Sequence, residues 1–192
     1  MKFHVKLLFL GYSGVGKTSL IRRWTRPADM YCEPTFAIDV TSHSIKVRNH
    51  IYRVRLSDTS GKEYYDQMFH GYIYNSDAIL LVYDTTNKES WEKTKDWAKI
   101  VYKTAGAKMP VYLIGNKIDK ESKRVVYRED VQEFIHQSPL NKLYMSECSA
   151  KTGEMAMDAY KLVLFSLDVP EREIWMESNP DLKDGESSCN IV

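Results

Sequence analysis

Apolar runs and helix-like patterns alternate along most of the chain. Runs rich in Val, Ile, Leu and Tyr are typical of strands, and apolar residues recurring every three or four positions are typical of helices. The predicted strands span residues 3–10, 36–47, 51–58, 78–83, 111–114 and 142–145. The predicted helices span residues 19–24, 87–105, 128–137 and 154–167. This alternation predicts a three-layer α/β sandwich, with a six-stranded, mostly parallel sheet and helices on both faces.

The second and third strands differ from the others in pattern. Polar residues interrupt the run 36–47, as is typical of a strand at a sheet edge, and Arg48-Asn49-His50 is typical of a hairpin turn. The run 78–83 is apolar throughout and predicts a strand buried on both faces. The segment 63–74 is rich in aromatic residues but shows only weak helical signals.

Residues 11–18, Gly-Tyr-Ser-Gly-Val-Gly-Lys-Thr, match the pattern of a phosphate-binding loop and lie between a predicted strand and a predicted helix. Backbone N–H groups of residues 13–17 can then point at phosphate oxygens, where the start of the helix adds partial positive charge. Lys17 can reach the β- and γ-phosphates, and the Thr18 hydroxyl can bind Mg²⁺. The alternative is a glycine turn that merely joins strand to helix, but such a turn has no use for the Lys-Thr pair.

Polar clusters also follow three later strands, and ligands bind outside the carboxyl ends of strands in such a fold. After strand three, Asp58 can hold Mg²⁺, and the Gly61 N–H can donate to a terminal phosphate. Strand five leads to Asn116-Lys117-Ile118-Asp119, where the Asp119 carboxylate can accept from N1–H and the exocyclic amine of guanine. Strand six leads to Ser149-Ala150-Lys151, whose backbone N–H can donate to guanine O6.

Each short motif is weak by itself, but their order along the chain resembles that of a Ras-superfamily small GTPase. The resemblance is closer to the Rab branch than to Ras itself, and it extends from residue 1 to about residue 168. The Rab-like stretches are Ser13 in the phosphate loop, Thr35-Phe36-Ala37-Ile38-Asp39-Val40, Tyr83-Asp84-Thr85-Thr86-Asn87, and Glu147-Cys148-Ser149-Ala150-Lys151. The resemblance implies a phosphate-loop GTPase fold and a switch between GTP-bound and GDP-bound states, acting in membrane trafficking or signalling as a monomer.

The resemblance also implies which residues hold the ligands. Guanine nucleotide is expected to contact Ser13, Gly14, Val15, Gly16, Lys17, Thr18, Ser19, Thr35, Gly61, Asn116, Lys117, Asp119, Ser149, Ala150 and Lys151. Mg²⁺ is expected to be held by Thr18, Thr35 and Asp58, although Thr35 has the alternative of a β-branched strand starter after proline. Effectors, an exchange factor and an activating protein are expected to bind through residues 29–40 and 58–74.

The chain departs from the family pattern at Lys62, where the family usually has the glutamine of Asp-Thr-Ala-Gly-Gln-Glu. That glutamine orients the attacking water as acceptor and donor, but a lysine ammonium has three donors and no acceptor. We therefore predict weak GTPase activity with Lys62 at the catalytic position. The alternative is that Lys62 is a solvated charge in a loop and that other groups catalyse hydrolysis. Ser60 replaces the usual alanine, and its hydroxyl can either bond a γ-phosphate or crowd Gly61.

A second departure concerns the aromatic ring that the family places against guanine. The corresponding region holds Ala28, Asp29 and Met30, in a loop one residue shorter than usual. Tyr31 is the alternative stacking residue. Without stacking, we expect the nucleotide to dissociate faster than is typical of the family.

Other aromatic residues have a structural interpretation beside a functional one. Trp91 and Trp97 lie at apolar positions of a predicted helix and are interpreted as core residues. Tyr64, Tyr65 and Phe69 are predicted either to form an exposed patch facing effectors or to pack on a helix of the domain itself.

Composition narrows the class of protein. The 192 residues suffice for one domain with its own core, and the formal net charge of +1 gives no electrostatic case for nucleic acid as a partner. The chain shows neither an apolar run long enough to span a membrane nor a signal peptide at its start, so we expect a cytoplasmic protein. Cys32, Cys148 and Cys189 are too scattered for a disulfide framework or a zinc site, and Cys148 is predicted to be buried.

Residues 169–192 are predicted to form a flexible tether after a GTPase domain at residues 1–168. The last four residues, Cys189-Asn190-Ile191-Val192, fit the pattern of a prenylated cysteine. One lipid anchors only marginally, and the tether offers neither a basic patch nor a paired cysteine. We therefore expect reversible association with the cytoplasmic face of a membrane through a prenyl group on Cys189.

Two other functions fit parts of the pattern. One is a binding module that stays GTP-bound and does not cycle between GTP and GDP, which is expected if Lys62 abolishes hydrolysis. The other is a phosphate-loop kinase, which would prefer ATP and would carry an arginine-rich lid. Asp119 argues against a preference for ATP, and the sequence shows no arginine-rich lid.

Overall fold

The computed structural model describes residues 2–47, 50–61 and 66–167. In this part of the chain the regular elements are β1 (Lys2–Leu10), α1 (Lys17–Thr25), β2 (Ile38–Val47), β3 (His50–Thr59), α2 (Asp66–Tyr74), β4 (Ala78–Asp84), α3 (Lys88–Ala105), β5 (Val111–Asn116), a 3₁₀ helix (Ile118–Lys123), α4 (Arg128–Gln137), β6 (Leu143–Cys148) and α5 (Ala156–Ser166). The predicted alternation of strands and helices is confirmed.

The strands form one six-stranded sheet in the order β2-β3-β1-β4-β5-β6. Among the described strands, only β2 and β3 pair antiparallel, with Val47 opposite His50, while the other neighbours are parallel. The edge position predicted for β2 is therefore confirmed. Of the predicted hairpin turn, Arg48 and Asn49 lie outside the described residues. Because β1 pairs with β3 on one side and β4 on the other, the strand order reverses at the carboxyl end of β1, where a ligand crevice is expected.

The core lies on both faces of the sheet. On one face α1 and α5 pack against β1, where Trp24 lies between the Phe9 ring, 5.4 Å away, and the Tyr160 ring, 4.4 Å away. On the other face α2, α3 and α4 cover the sheet, and Trp91 and Trp97 are buried among them. The interpretation of both tryptophans as core residues is confirmed, and so is the burial of all of β4.

The helix α2 was not expected from its weak pattern. Phe69 and Ile73 lie one helical turn apart and are both completely buried against the sheet. Of the two predictions for Phe69, packing within the domain is therefore the correct one, and the exposed patch is wrong for this residue. Tyr64 and Tyr65 lie outside the described residues.

The ends of several elements also differ from their predicted positions. β5 continues to Asn116 and β6 to Cys148, because polar residues at the ends of both strands still pair in the sheet. β2 begins only at Ile38, and Phe36 is 84% exposed before it. Cys148 is completely buried, as predicted.

Helices that combine the length and the apolar character needed to cross a bilayer do not occur in the described residues. The predicted tether at 169–192 and its Cys189 lie outside the described residues, so both remain predictions.

We expect Leu80→Ala to lower the free energy of unfolding by about 3–5 kcal/mol, because Leu80 is completely buried in the central strand β4 and its truncation leaves a cavity. Urea unfolding measures the change. Leu162→Ala on α5 is the matched control, since Leu162 is 37% exposed and should cost much less. Equal losses for the two variants would contradict this account of the core.

Candidate functional site

The phosphate loop joins β1 to α1 and holds Lys17 at the first position of that helix. Gly16 adopts a left-handed backbone (φ 100°) directly before it. A Cβ added there would lie 2.3 Å from Nδ2 of Asn116, so only glycine fits. The loop can therefore approach another strand end closely while its N–H groups lie at the start of a helix.

The Lys17 side chain folds back over this loop. Only 5% of the residue is exposed, and Nζ donates to the carbonyl oxygens of Gly11 at 2.8 Å and Tyr12 at 3.1 Å. Burial lowers the pKa of Lys17 to about 8, although the nearby Asp58 charge acts in the opposite direction. The buried ammonium can therefore bind an anion.

Thr18, Thr35 and Asp58 meet at one point. Both hydroxyls donate to Asp58 Oδ2, Thr18 at 2.5 Å and Thr35 at 2.9 Å, and the two hydroxyl oxygens lie 3.0 Å apart. Asp58 is 4% exposed, and its other oxygen, Oδ1, is buried without a hydrogen-bond partner among the residues that the structure describes. Burial raises the pKa of this carboxyl group. Two hydroxyls and a carboxylate form a set of hard oxygen donors that fits Mg²⁺, and the unpartnered Oδ1 is consistent with a cation at this point.

A cavity of about 330 Å³ lies beside these three residues. Ser13, Lys17 and Ser60 line this cavity. Residues of the loop before β2, on both sides of Thr35, line it as well. Gly61 lies close to two of the lining residues: a Cβ there would lie 2.7 Å from Lys17 Nζ and 2.8 Å from the Ser13 nitrogen. The Ser60 N–H donates to the carbonyl oxygen of Ala37 at 3.0 Å, which ties the end of β3 to the segment that carries Thr35.

A second cavity, of about 400 Å³, continues from the first, because Gly14, Gly16 and Ser19 line both. Its other walls include Asp119 and Lys117. The further lining residues are Met30, Asn116, Lys120, Ala150 and Lys151.

Asn116 connects the three loops around this second cavity. Its Nδ2 donates to the Val15 carbonyl at 2.8 Å, and its Oδ1 accepts from the Ala150 N–H at 2.9 Å. Asp119 Oδ1 accepts from the Ser149 hydroxyl at 2.6 Å. The sequence motifs at the ends of β1, β5 and β6 are therefore held together by direct hydrogen bonds.

The structure thus brings together all the site residues predicted from sequence that it describes, but not all in the same role. Val15 is 1% exposed and packs in the core, so only its backbone faces the site. Ser149 is completely buried beneath Asp119. Lys62 lies outside the described residues.

Met30 occupies the wall of the second cavity where an aromatic ring was missing from the sequence. Tyr31, the alternative, is 71% exposed and does not line this cavity. The loop therefore offers a thioether rather than a ring.

Sequence reasoning missed two residues that support the site. Asp84, the last residue of β4, forms an ion pair with Lys117 at 2.7 Å, and Lys117 Nζ also donates to the Gly14 carbonyl at 2.7 Å. The position of Asp84 at a strand end was the available signal. Arg23 on α1 donates to the carbonyls of Ala150 and Lys151, and nothing in the sequence indicates that contact.

Comparison with known proteins agrees with this geometry. The model of the Ras family matches residues 6–167. Rab-12 of Mus musculus and Rab-12 of Homo sapiens are each 32% identical over 152 residues, which cover 78% of this chain and 61% of those proteins. The chain thus matches about three fifths of the length of these relatives. RABC2b of Arabidopsis thaliana is 33% identical over 192 residues, which cover 96% of this chain and 92% of that protein. The chain therefore belongs to the Ras family of small GTPases and is Rab-like within it.

Proposed function

We propose that this chain is a guanine-nucleotide switch of Rab-like type, acting in membrane trafficking or signalling, that hydrolyses GTP slowly. The observation that carries the proposal is the continuity of the two cavities through Gly14, Gly16 and Ser19. One cavity offers a buried ammonium and hard oxygen ligands, and the other offers a carboxylate. A single nucleotide can therefore place its phosphates in the first and its base in the second.

The choice of guanine rests on Asp119. Its carboxylate has lone pairs beyond the one that accepts from Ser149, and these can accept from N1–H and the exocyclic amine of guanine. Adenine has no hydrogen on N1, so a carboxylate there would face an unprotonated ring nitrogen. The Lys117 stem lines the same cavity, where it can cover one face of the base.

The switch itself rests on Thr35. This residue lies in a stretch between α1 and β2 that has no helix or strand, and its hydroxyl reaches Asp58 at 2.9 Å. Mg²⁺ would be held by Thr18, Thr35 and Asp58, and it neutralises charge on the β- and γ-phosphates when bound. A nucleotide without a γ-phosphate offers less to hold Thr35, so the loop before β2 is free to change its conformation.

The expectation of slow hydrolysis rests on the chemistry of Lys62. Intrinsic hydrolysis in this superfamily is on the order of 10⁻⁴ s⁻¹ even with glutamine at this position. An ammonium can attract the γ-phosphate but cannot accept a hydrogen bond from water, so it cannot orient the nucleophile. The second candidate function is a binding module that stays GTP-bound and does not cycle. A switch with very slow GTP hydrolysis would behave much like such a module.

We expect Asp119→Asn to weaken GTP binding roughly a hundredfold, because the amide replaces one acceptor by a donor that opposes the guanine amine. The same variant should bind xanthosine triphosphate better than the wild type does, since xanthine carries a carbonyl oxygen where guanine carries the amine. Competition against a fluorescent nucleotide measures both affinities. Lys123→Gln, nearby and exposed, is the control. Loss of GTP binding without a gain for xanthosine triphosphate would sink the assignment of Asp119.

We expect Lys62→Gln to accelerate single-turnover GTP hydrolysis at least tenfold, because it restores an acceptor and a donor for the attacking water. Lys62→Met is the matched control: it removes the charge without adding an acceptor and should leave the rate low. Equal rates for the wild type and Lys62→Gln would refute the proposed role. The nucleotide that copurifies with the wild type separates the two candidates, since mostly GDP indicates a cycling switch and mostly GTP a module.

We expect Met30→Phe to slow GDP dissociation about fivefold, because base–aromatic stacking contributes about 1 kcal/mol or more. Release of a fluorescent GDP analogue into excess GDP measures the rate. Tyr31→Leu is the control and should leave the rate unchanged, since Tyr31 is 71% exposed and does not line the cavity. The idea fails if Tyr31→Leu accelerates release while Met30→Phe has no effect.

A further inference from the structure

The loop after β6 receives two hydrogen bonds from a side chain of helix α1. Arg23 donates from Nε to the Ala150 carbonyl at 2.8 Å and from Nη2 to the Lys151 carbonyl at 2.6 Å. We call residues 149–153 the base loop. Arg23 lies one helical turn after Ser19, which lines both nucleotide cavities. The face of α1 that borders the nucleotide site therefore also supports the base loop.

The guanidinium of Arg23 is directed at the backbone and not at an acid. Among the described residues, no carboxylate forms an ion pair with Arg23. Gly153 lies against the guanidinium, since a Cβ on this glycine would lie 3.7 Å from Nε and 3.8 Å from Cζ. A guanidinium is planar and presents its donors in a rigid fork. Because each carbonyl is rigid with the N–H group that follows it, this fork fixes two successive peptide planes of the base loop.

The fixed planes decide where one N–H group points. The described residues contain no cis peptide bond, so the Lys151 N–H points away from the Ala150 carbonyl that the guanidinium holds. The Ala150 N–H already donates to Asn116 Oδ1 at 2.9 Å. The Thr152 N–H donates to the Ser149 hydroxyl at 3.1 Å. The Lys151 N–H has no acceptor in the part of the chain that the structure describes, and Lys151 lines the second cavity, so this donor is available to a ligand.

We propose that Arg23 is a positioning residue for guanine recognition, which aims the Lys151 N–H at the O6 atom of the base. This inference rests on the proposed function, because it takes the acceptor to be part of guanine. Asp119 accepts from the Ser149 hydroxyl of the base loop at 2.6 Å, so the two recognition groups lie side by side. A base whose N1–H and exocyclic amine face Asp119 carries O6 on the ring atom next to N1. Adenine carries an amine there, which would oppose an N–H donor.

This role differs from a contribution to stability alone. Without Arg23, the two carbonyls can bond to water, and the Lys151 N–H is no longer held in one direction. The loss then concerns the contact with O6. A residue that only stabilised the fold would weaken every guanine nucleotide by the same factor. The informative comparison is therefore between nucleotides that differ at atom 6 of the base and nowhere else.

The test compares GDP with 6-thio-GDP, in which sulfur, a weaker acceptor, replaces O6 while the edge that faces Asp119 is unchanged. Competition against a fluorescent GDP analogue on the full chain with Mg²⁺ measures both dissociation constants. We expect Arg23→Met to weaken GDP binding about fivefold, as for one lost hydrogen bond, and 6-thio-GDP binding less than about twofold. Arg23→Lys should lie between wild type and Arg23→Met, because one ammonium lacks the rigid fork of donors. Arg26→Met, exposed at the end of the same helix, is the matched control and should keep both wild-type affinities.

Two results would overturn the inference and leave the proposed function intact. One is an equal loss of affinity for GDP and 6-thio-GDP in Arg23→Met, which would make Arg23 a structural residue only. The other is a wild type that binds both nucleotides equally well, which would remove the contact with O6. If Arg23→Met does not fold, as judged by its urea unfolding curve, Arg23→Lys decides by the same comparison. A wild type that binds no GDP would overturn the proposed function and this inference together.

Discussion

The buried ammonium of Lys17 is the constraint on which the rest of the nucleotide site depends. Burial lowers the pKa of Lys17 from 10.5 to about 8, a shift that corresponds to about 3 kcal/mol of lost stability. Because the unfolded chain holds the proton more tightly, the full cost is present below pH 8, and stability rises as pH increases from 8 to 10.5. Phosphate oxygens would supply a counter-charge that offsets this cost.

The remaining contacts of the site can be understood as support for that arrangement. The ammonium stays in place because backbone carbonyls of Gly11 and Tyr12 accept from it. The loop that supplies those carbonyls is in turn tied to β5 by the hydrogen bond from Asn116 to Val15, and Lys117 links Gly14 to Asp84 of β4. These contacts join the part of the pocket proposed for the base to the part proposed for the phosphates.

Much of this could be predicted from sequence, because the site residues lie at strand ends, where polar residues interrupt apolar runs. The phosphate loop, Asp58 and Asp119 stand out for that reason. The ends of β5 and β6 were not predicted, because strands are recognised from apolar runs and polar residues lie at the ends of both strands. Helix α2 could not be predicted because its burial depends on Phe69 and Ile73 meeting a distant strand, and tertiary contacts override weak local patterns. The neighbouring positions of Lys6 and Arg55 could not be predicted either, because they depend on the register of β1 and β3.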